Sequence, residues 1–275
     1  MPFSSPLLER LVALTRDLIL IPSTDSRPQE RARCFAYLHD HLDTIEGVNI
    51  REYECQGYTS MVATPKGVDN PEILLVSHLD VIEHPDVEVY RSRIEDGRIY
   101  GPGSGDMKGQ LAITLELFRV LQRSHPGLPF GVAFTSDEEI GGEHGVRHLF
   151  DTIGLRCGTA IVPDGGSVND ITIAEKGILH ARLSCAGQES HAARPWLVNN
   201  ALLDLTRAVL RITEEVGNLR ASHDSGTDHW YPTCTPTVLR TANETINCIP
   251  GEAHACVDVR FPPPHQVSDM LERLR

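Results

Sequence analysis

Four short clusters in this 275-residue chain gather His, Asp or Glu, three of them beside glycines. In VSHLD, His78 and Asp80 follow an apolar run, two positions apart, the spacing that puts both side chains on one face of a strand. A histidine that ligates a cation through one ring nitrogen usually gives its other N–H to a carboxylate, so the pair suits a metal ligand and its orienting partner. A hydrogen-bonded structural histidine fits the same two residues. GPGSGDMKG, residues 101–109, is a glycine-rich turn entering a helix, but it matches neither phosphate-loop pattern, since Asp106 stands where a third glycine would be needed. A carboxylate there repels phosphate and suits a cation, which it can bridge to a second one.

The third cluster, TSDEEIGG, places Glu138 and Glu139 at the end of another apolar run. Successive carboxylates point different ways, so one can ligate a metal while the other accepts a proton from water; a plain acidic turn is the simpler alternative. In the fourth, VPDGG, Asp164 again precedes glycine. One imidazole and several acids make a donor set suited to divalent cations.

The elements that must position these groups follow from apolar periodicity. Leu7, Leu11, Leu14 and Leu18 predict a helix over 6–20, and a second is expected over 31–42. The runs 73–77, 130–135 and 159–162 are continuously apolar, as strands buried on both faces are, and 107–123 reads as a covering helix. This is an α/β sheet, and the polar clusters sit where its strands stop, where open sheets of this kind bind ligands. From residue 178 strict alternation sets in, over Leu179–Cys185 and Ala253–Phe261, with a helix over 200–215 between. That predicts a larger domain over 1–177, which carries the four clusters, and a smaller α+β domain over 178–275. The 217–237 stretch reads as the loosest, and Pro262-Pro263-Pro264 as a rigid turn.

The balance of 25 Lys+Arg against 38 Asp+Glu, a net charge of -13, repels phosphate backbones and anionic lipid, so neither nucleic acid nor membrane is an expected partner. Seven cysteines with no C-x-x-C pair read as reduced core residues. The opening segment has no basic leader region and is interrupted by Glu9, Arg10, Arg16 and Asp17, so a soluble cytoplasmic protein is expected.

Taken in order, HLDVI, GPGSGDMKG, TSDEEIGG, VPDGG, AEKGI, ESHAARP and NCIPGEAHACVDVR resemble the co-catalytic zinc hydrolases: aminoacylases, acetylornithine deacetylase, succinyl-diaminopimelate desuccinylase, glutamate carboxypeptidases and di- and tripeptidases. The resemblance implies a zinc-exopeptidase-like mixed sheet with helices on both faces, plus a ferredoxin-like lid or dimerisation domain. It implies two zinc ions, with cobalt or manganese as substitutes: His78 and Asp164 on one, Glu139 on the other, and Asp106 bridging both. Glu138 matches the general base, Asp80 the partner that orients His78, and the peptide after Asp106 is expected to be cis. His191 matches the group that steadies the oxyanion, often in a neighbouring subunit. Asn247 and Arg260 match groups that hold a substrate carbonyl or carboxylate, and a homodimer through the lid domain follows.

The expected substrate is a small peptide or an N-acyl amino acid. Asp164 stands where the deacylases more often have Glu, which favours a peptidase. The family brings a last histidine to the second zinc from a segment after the small domain, and no histidine here fits that place. The expectation is therefore a fragment of a longer product or a degenerate, non-catalytic relative, holding one zinc more tightly than the other.

Overall fold

The computed structural model describes residues 5–165, 169–222 and 229–275. The chain divides into two compact units, Met1–Asn169 and Asp170–Arg275, a boundary earlier than the expected 177/178. The first unit contains helices α1 (Pro6–Ile19), α2 (Pro28–Asp43) and α3 (Lys108–Ser124). Its strands are β1 (Val48–Cys55), β2 (Tyr58–Pro65), β3 (Ile73–His78), β4 (Arg93–Glu95), β5 (Arg98–Tyr100), β6 (Phe130–Thr135) and β7 (Thr159–Ile161). Five of them form a mixed sheet in the order β1-β2-β6-β3-β7. The β1–β2 and β2–β6 pairs are antiparallel, and β3 runs parallel to both β6 and β7.

Alternate residues of each central strand serve two cores. Leu75, Phe130, Val132, Phe134, Met61 and Ala63 pack with α1, α2 and α3 through Leu18, Leu38, Leu111 and Phe118. Leu74, Val76, Val62 and Ala133 face the other way, onto Leu149, Phe150 and Leu155 around a single π-helical turn at His148–Thr152. The runs 73–77 and 130–135 thus lack alternation because both faces of their strands are covered. The 159–162 run differs from expectation: Ile161 and Val162 are 45% and 58% exposed, because among the described residues β7 is the sheet's edge, paired with β3 alone.

The hairpins follow from local chemistry. Gln56-Gly57 between β1 and β2, and Asp96-Gly97 between β4 and β5, all have positive φ, as a two-residue turn matching strand twist requires. Lys108, the first residue of α3, is fully buried and donates from Nζ to the carbonyls of Leu18 (3.0 Å) and Ile21 (2.6 Å). The glycine-rich loop folds over this side chain so closely that a Cβ at Gly103 would lie 2.9 Å from Lys108 Cδ. Lys108→Ala removes both bonds and leaves a cavity; we expect a loss of about 3 kcal/mol, read from the denaturant midpoint.

The second unit contains β8 (Gly177–Ala186), β9 (Ser190–His191), α4 (Ala201–Gly217), β10 (Thr233–Arg240), β11 (Cys248–Ile249), β12 (Glu252–Phe261) and α5 (Val267–Arg273). Its antiparallel sheet runs β10-β12-β8, and β9 pairs with β11. One sheet face is buried, Val257, Val259 and Phe261 against Ile212, Val216 and Met270, and Ala253 and Ala255 against Leu205 and Val209. That one-sided burial is the physical origin of the alternation. The stretch expected to be loosest is only partly so: α4 continues to Gly217, β10 starts at Thr233, and residues 223–228 lie outside the described residues. The Pro263–Pro264 peptide is cis. Among the described residues no helix is long and apolar enough to cross a membrane.

Candidate metal centre

Three strand ends and one loop supply the acidic and imidazole groups of the first unit. His78 ends β3, Glu138 and Glu139 open a 3-10 turn shortly after β6, Asp164 follows β7, and Asp106 ends the loop before α3. Parallel pairing of β3 with β6 and β7 brings those ends together at one side of the sheet. The Asp106–Met107 peptide is cis, as the resemblance implies.

His78 is at the hub. Its Nε2 lies 3.1 Å from Asp106 Oδ1, 3.7 Å from Asp164 Oδ2 and 3.8 Å from Glu138 Oε2. Two overlapping groups, His78 with Asp106 and Glu139, and His78 with Glu138 and Asp164, each place their ligand atoms within 4.8 Å of one another. The four expected ligands thus converge, and Glu138 converges with them. Among the described residues His78 is the one imidazole in either group, so the rest of both donor sets is carboxylate.

The other side of the ring is held. His78 Nδ1 is 3.1 Å from the Asp80 carbonyl and 3.4 Å from Asp80 Oδ1, while Asp80 Oδ2 accepts the Glu139 N–H at 2.9 Å. Asp80 therefore orients the ring and ties the exit of β3 to the turn bearing both glutamates. The Nδ1 proton is directed to the Asp80 carbonyl, with the buried Oδ1 beside it, and Nε2 is left for a cation. Asp80→Ala should weaken zinc affinity or turnover about 10- to 100-fold, measured by metal titration and steady-state kinetics.

The electrostatics favour a cation. Burial opposes a charge on His78, but Asp80, Glu138 and Asp164 outweigh it and raise the imidazole to about 9. Burial raises the Glu138, Glu139 and Asp164 carboxyls, and neighbouring acids raise them further, against the pull of His78. Carboxylates crowded until they resist ionisation, around one imidazole, are relieved by a divalent ion. One nitrogen with several carboxylate oxygens suits zinc, cobalt or manganese, so the residues present fit the implied metal.

Two positioning groups carry no signal in the spacing of the ligands. Asp137, 1% exposed, accepts from the N–H groups of His144 (2.7 Å) and Gly145 (2.9 Å), closing the loop that begins with Glu138 and Glu139. Gly145 is required there, since an added Cβ would lie 2.1 Å from Asp137 Oδ1. Lys108 anchors the helix start beside Asp106.

His191, Asn247 and Arg260 belong to the second unit. His191 pairs with Cys248 across β9 and β11, and the Asn247 carbonyl accepts from Ala192 N–H at 2.9 Å, so the two stand side by side. The Ala193 N–H donates to His191 Nδ1 at 3.1 Å, which leaves the proton of a neutral ring on Nε2. Arg260 is gripped by Asp258, Nε to Oδ1 at 2.7 Å and Nη2 to Oδ2 at 3.0 Å, and Asp258 Oδ2 also lies 3.1 Å from His180 Nε2.

Residues 74–264 match the family described as peptidase family M20/M25/M40. A metallohydrolase of Methanocaldococcus jannaschii is 26% identical over 97% of this chain and 71% of its own length. A succinyl-diaminopimelate desuccinylase of Rickettsia felis is 28% identical over 76% of this chain; the match spans 57% of that enzyme. Two solved structures share the fold: an M20 family metallo-carboxypeptidase of Sulfolobus solfataricus (TM-score 0.71, 19% identity, 98% of this chain and 74% of that one) and aminopeptidase PepT of Bacillus cereus (TM-score 0.73, 18%, 97% and 70%).

Proposed function

This chain belongs to peptidase family M20/M25/M40, and from that premise we propose that it hydrolyses the amide bond of a small peptide or N-acyl amino acid, with divalent metal at the His78 cluster and Glu138 as general base. The observation that carries the proposal is the convergence of His78, Asp106, Glu138, Glu139 and Asp164 from four separate parts of the chain. Held by these residues, two divalent cations would supply Lewis acidity, polarising the scissile carbonyl and lowering the pKa of water towards neutrality.

The chain's own groups divide the remaining work. Glu138, about half exposed, reaches into the cluster without being locked in it, so it can take a proton from the attacking water and deliver it to the departing amine. Its raised carboxyl shifts it towards the range where such a proton is both accepted and released. Asp80 keeps His78 and the Glu139 backbone in place throughout. In the second unit, His191 would present its Nε2–H to the developing oxyanion, and Asn247 and Arg260 would hold the substrate's carbonyl and carboxylate. Arg260 must then exchange Asp258 for substrate or share itself between them. The second unit takes the lid and dimerisation role in this reading. Asp164 in place of Glu favours peptides over N-acyl amino acids.

The test is an assay of zinc- or cobalt-loaded protein against dipeptides and N-acetyl amino acids. Turnover that a chelator removes and added metal restores supports the proposal, and faster dipeptide cleavage supports the peptidase form. Failure of the loaded protein to cleave either class refutes it.

A further inference from the structure

We infer that Tyr58 and His144 form a clasp that positions the loop bearing Glu138 and Glu139, so that both are positioning residues for the proposed general base. The inference rests on the hydrolase reading and deepens it. β6 leaves its partner just before it delivers the two glutamates: the β2–β6 ladder ends at Met61 opposite Phe134, and the strand stops at Thr135. Beyond it the loop bonds mainly to itself. Ile140 and Gly142 donate to the Asp137 carbonyl, Gly141 to the Glu138 carbonyl, and His144 and Gly145 to the Asp137 carboxylate. A loop closed on itself keeps its shape, but its place against the sheet depends on what else holds it. Glu138 is about half exposed and stands 3.8 Å from His78 Nε2, beyond hydrogen-bond reach, so the loop backbone sets where its carboxylate points.

Side chains supply the attachments that the ladder gives up. Ser136 Oγ donates to the Thr59 carbonyl at 3.0 Å. One residue earlier on β2, the Tyr58 ring stacks on His144, with centroids 5.3 Å apart and planes 17° from parallel. Cys55 Sγ lies 3.8 Å from His144 Nδ1, so the imidazole is held at a face and at an edge. Tyr58 is fixed in turn: its hydroxyl donates to Asp25 Oδ1 at 2.5 Å, and the Arg31 guanidinium lies 4.6 Å from its ring centroid. Arg31, itself buried, also donates to the carbonyls of Thr24 (3.1 Å) and Asp25. Ser23, in the same segment, donates from Oγ to the Leu79 carbonyl at 2.6 Å and accepts the Val81 N–H at 3.2 Å, which reaches the exit of β3 just past His78. The exits of β3 and β6 are therefore joined twice, directly through Asp80 and the Glu139 N–H, and indirectly through Ser23, Asp25, Tyr58 and His144. With the clasp cut, the direct link still holds Glu139 beside the metal donors, while the far side of the loop loses its anchor. The loss then falls on proton transfer by Glu138 and spares the metal; a misplacement of about 1 Å in a reacting group costs up to about a hundredfold.

The experiment is steady-state kinetics on the zinc-loaded wild type, Tyr58→Leu, His144→Ala and the double variant. Expected is a kcat about tenfold or more below wild type in each single variant, with KM within about threefold and zinc content unchanged. The double variant should be no slower than the slower single one, because two residues that act as one unit are not additive. A kcat within about twofold of wild type in both single variants, or losses that multiply in the double variant, overturns the clasp while leaving the hydrolase reading intact. Should Tyr58→Leu fail to fold, His144→Ala is set against His144→Phe, which keeps a ring for Tyr58 to stack on. Recovery of kcat in His144→Phe sustains the clasp, and equal kcat in the two overturns it. Should the wild type cleave no substrate, the hydrolase reading fails and hydrogen exchange of the metal-free protein decides the clasp. Amides of residues 138–145 that exchange about tenfold faster in His144→Ala, with those of α3 unchanged, sustain it, and exchange at the wild-type rate overturns it.

Discussion

Glu138→Gln is expected to lower kcat by about a hundred- to ten-thousandfold while zinc content stays at the wild-type level. The amide matches the carboxylate in shape and cannot accept a proton. Glu138 is about half exposed and sits 3.8 Å from His78 Nε2, the loosest of the three carboxylates at that atom, so its loss leaves Asp106 and Asp164 against the imidazole. A kcat within threefold of wild type would assign the proton transfer to another group. Glu139→Gln supplies the contrast: its carboxylate shares a group with His78 and Asp106, so zinc content and turnover should fall together.

The second large effect concerns the metal itself. At a zinc concentration about a thousandfold above the dissociation constant, the wild type should gain roughly 4 kcal/mol of stability, because a ligand that binds only the folded state adds its binding free energy to folding. His78→Ala should abolish that gain, since His78 belongs to both donor groups. Asp106→Ala is the companion variant; its side chain is 65% exposed, so the fold does not depend on it. Denaturant unfolding with and without zinc reads both. A stabilisation that survives both substitutions would locate the bound zinc elsewhere.

Much of the site is legible from the sequence because its residues are punctuated by glycine and stand where apolar runs stop. Glu138, Glu139 and Asp164 show both features, His78 the end of an apolar run and Asp106 the glycines, and parallel pairing of β3 with β6 and β7 turns a linear pattern into a cluster. The alternation of 179–185 and 253–261 likewise marks a sheet with one buried face. The rest is hidden for identifiable reasons. The β4–β5 turn is written in Asp96-Gly97, a strong hairpin signal, but three-residue strands carry too little alternation to stand out. β10 is obscured by Pro236 and by a register shift between Pro236 and Val238, which break its period. Asp137 acts through bonds to the backbone of its own loop and Lys108 through bonds to the backbone of a distant helix end, and the spacing of side chains in the sequence says nothing of such partners.

The convergence of those side chains on a cation is tested most directly by diffraction at the zinc absorption edge from crystals grown with zinc. Anomalous density is expected within bonding distance, about 2.0–2.2 Å, of His78 Nε2 and of the Asp106, Glu139 and Asp164 carboxylates. Crystals whose density shows these four side chains with no ion among them, at zinc concentrations that saturate the protein in solution, would contradict it.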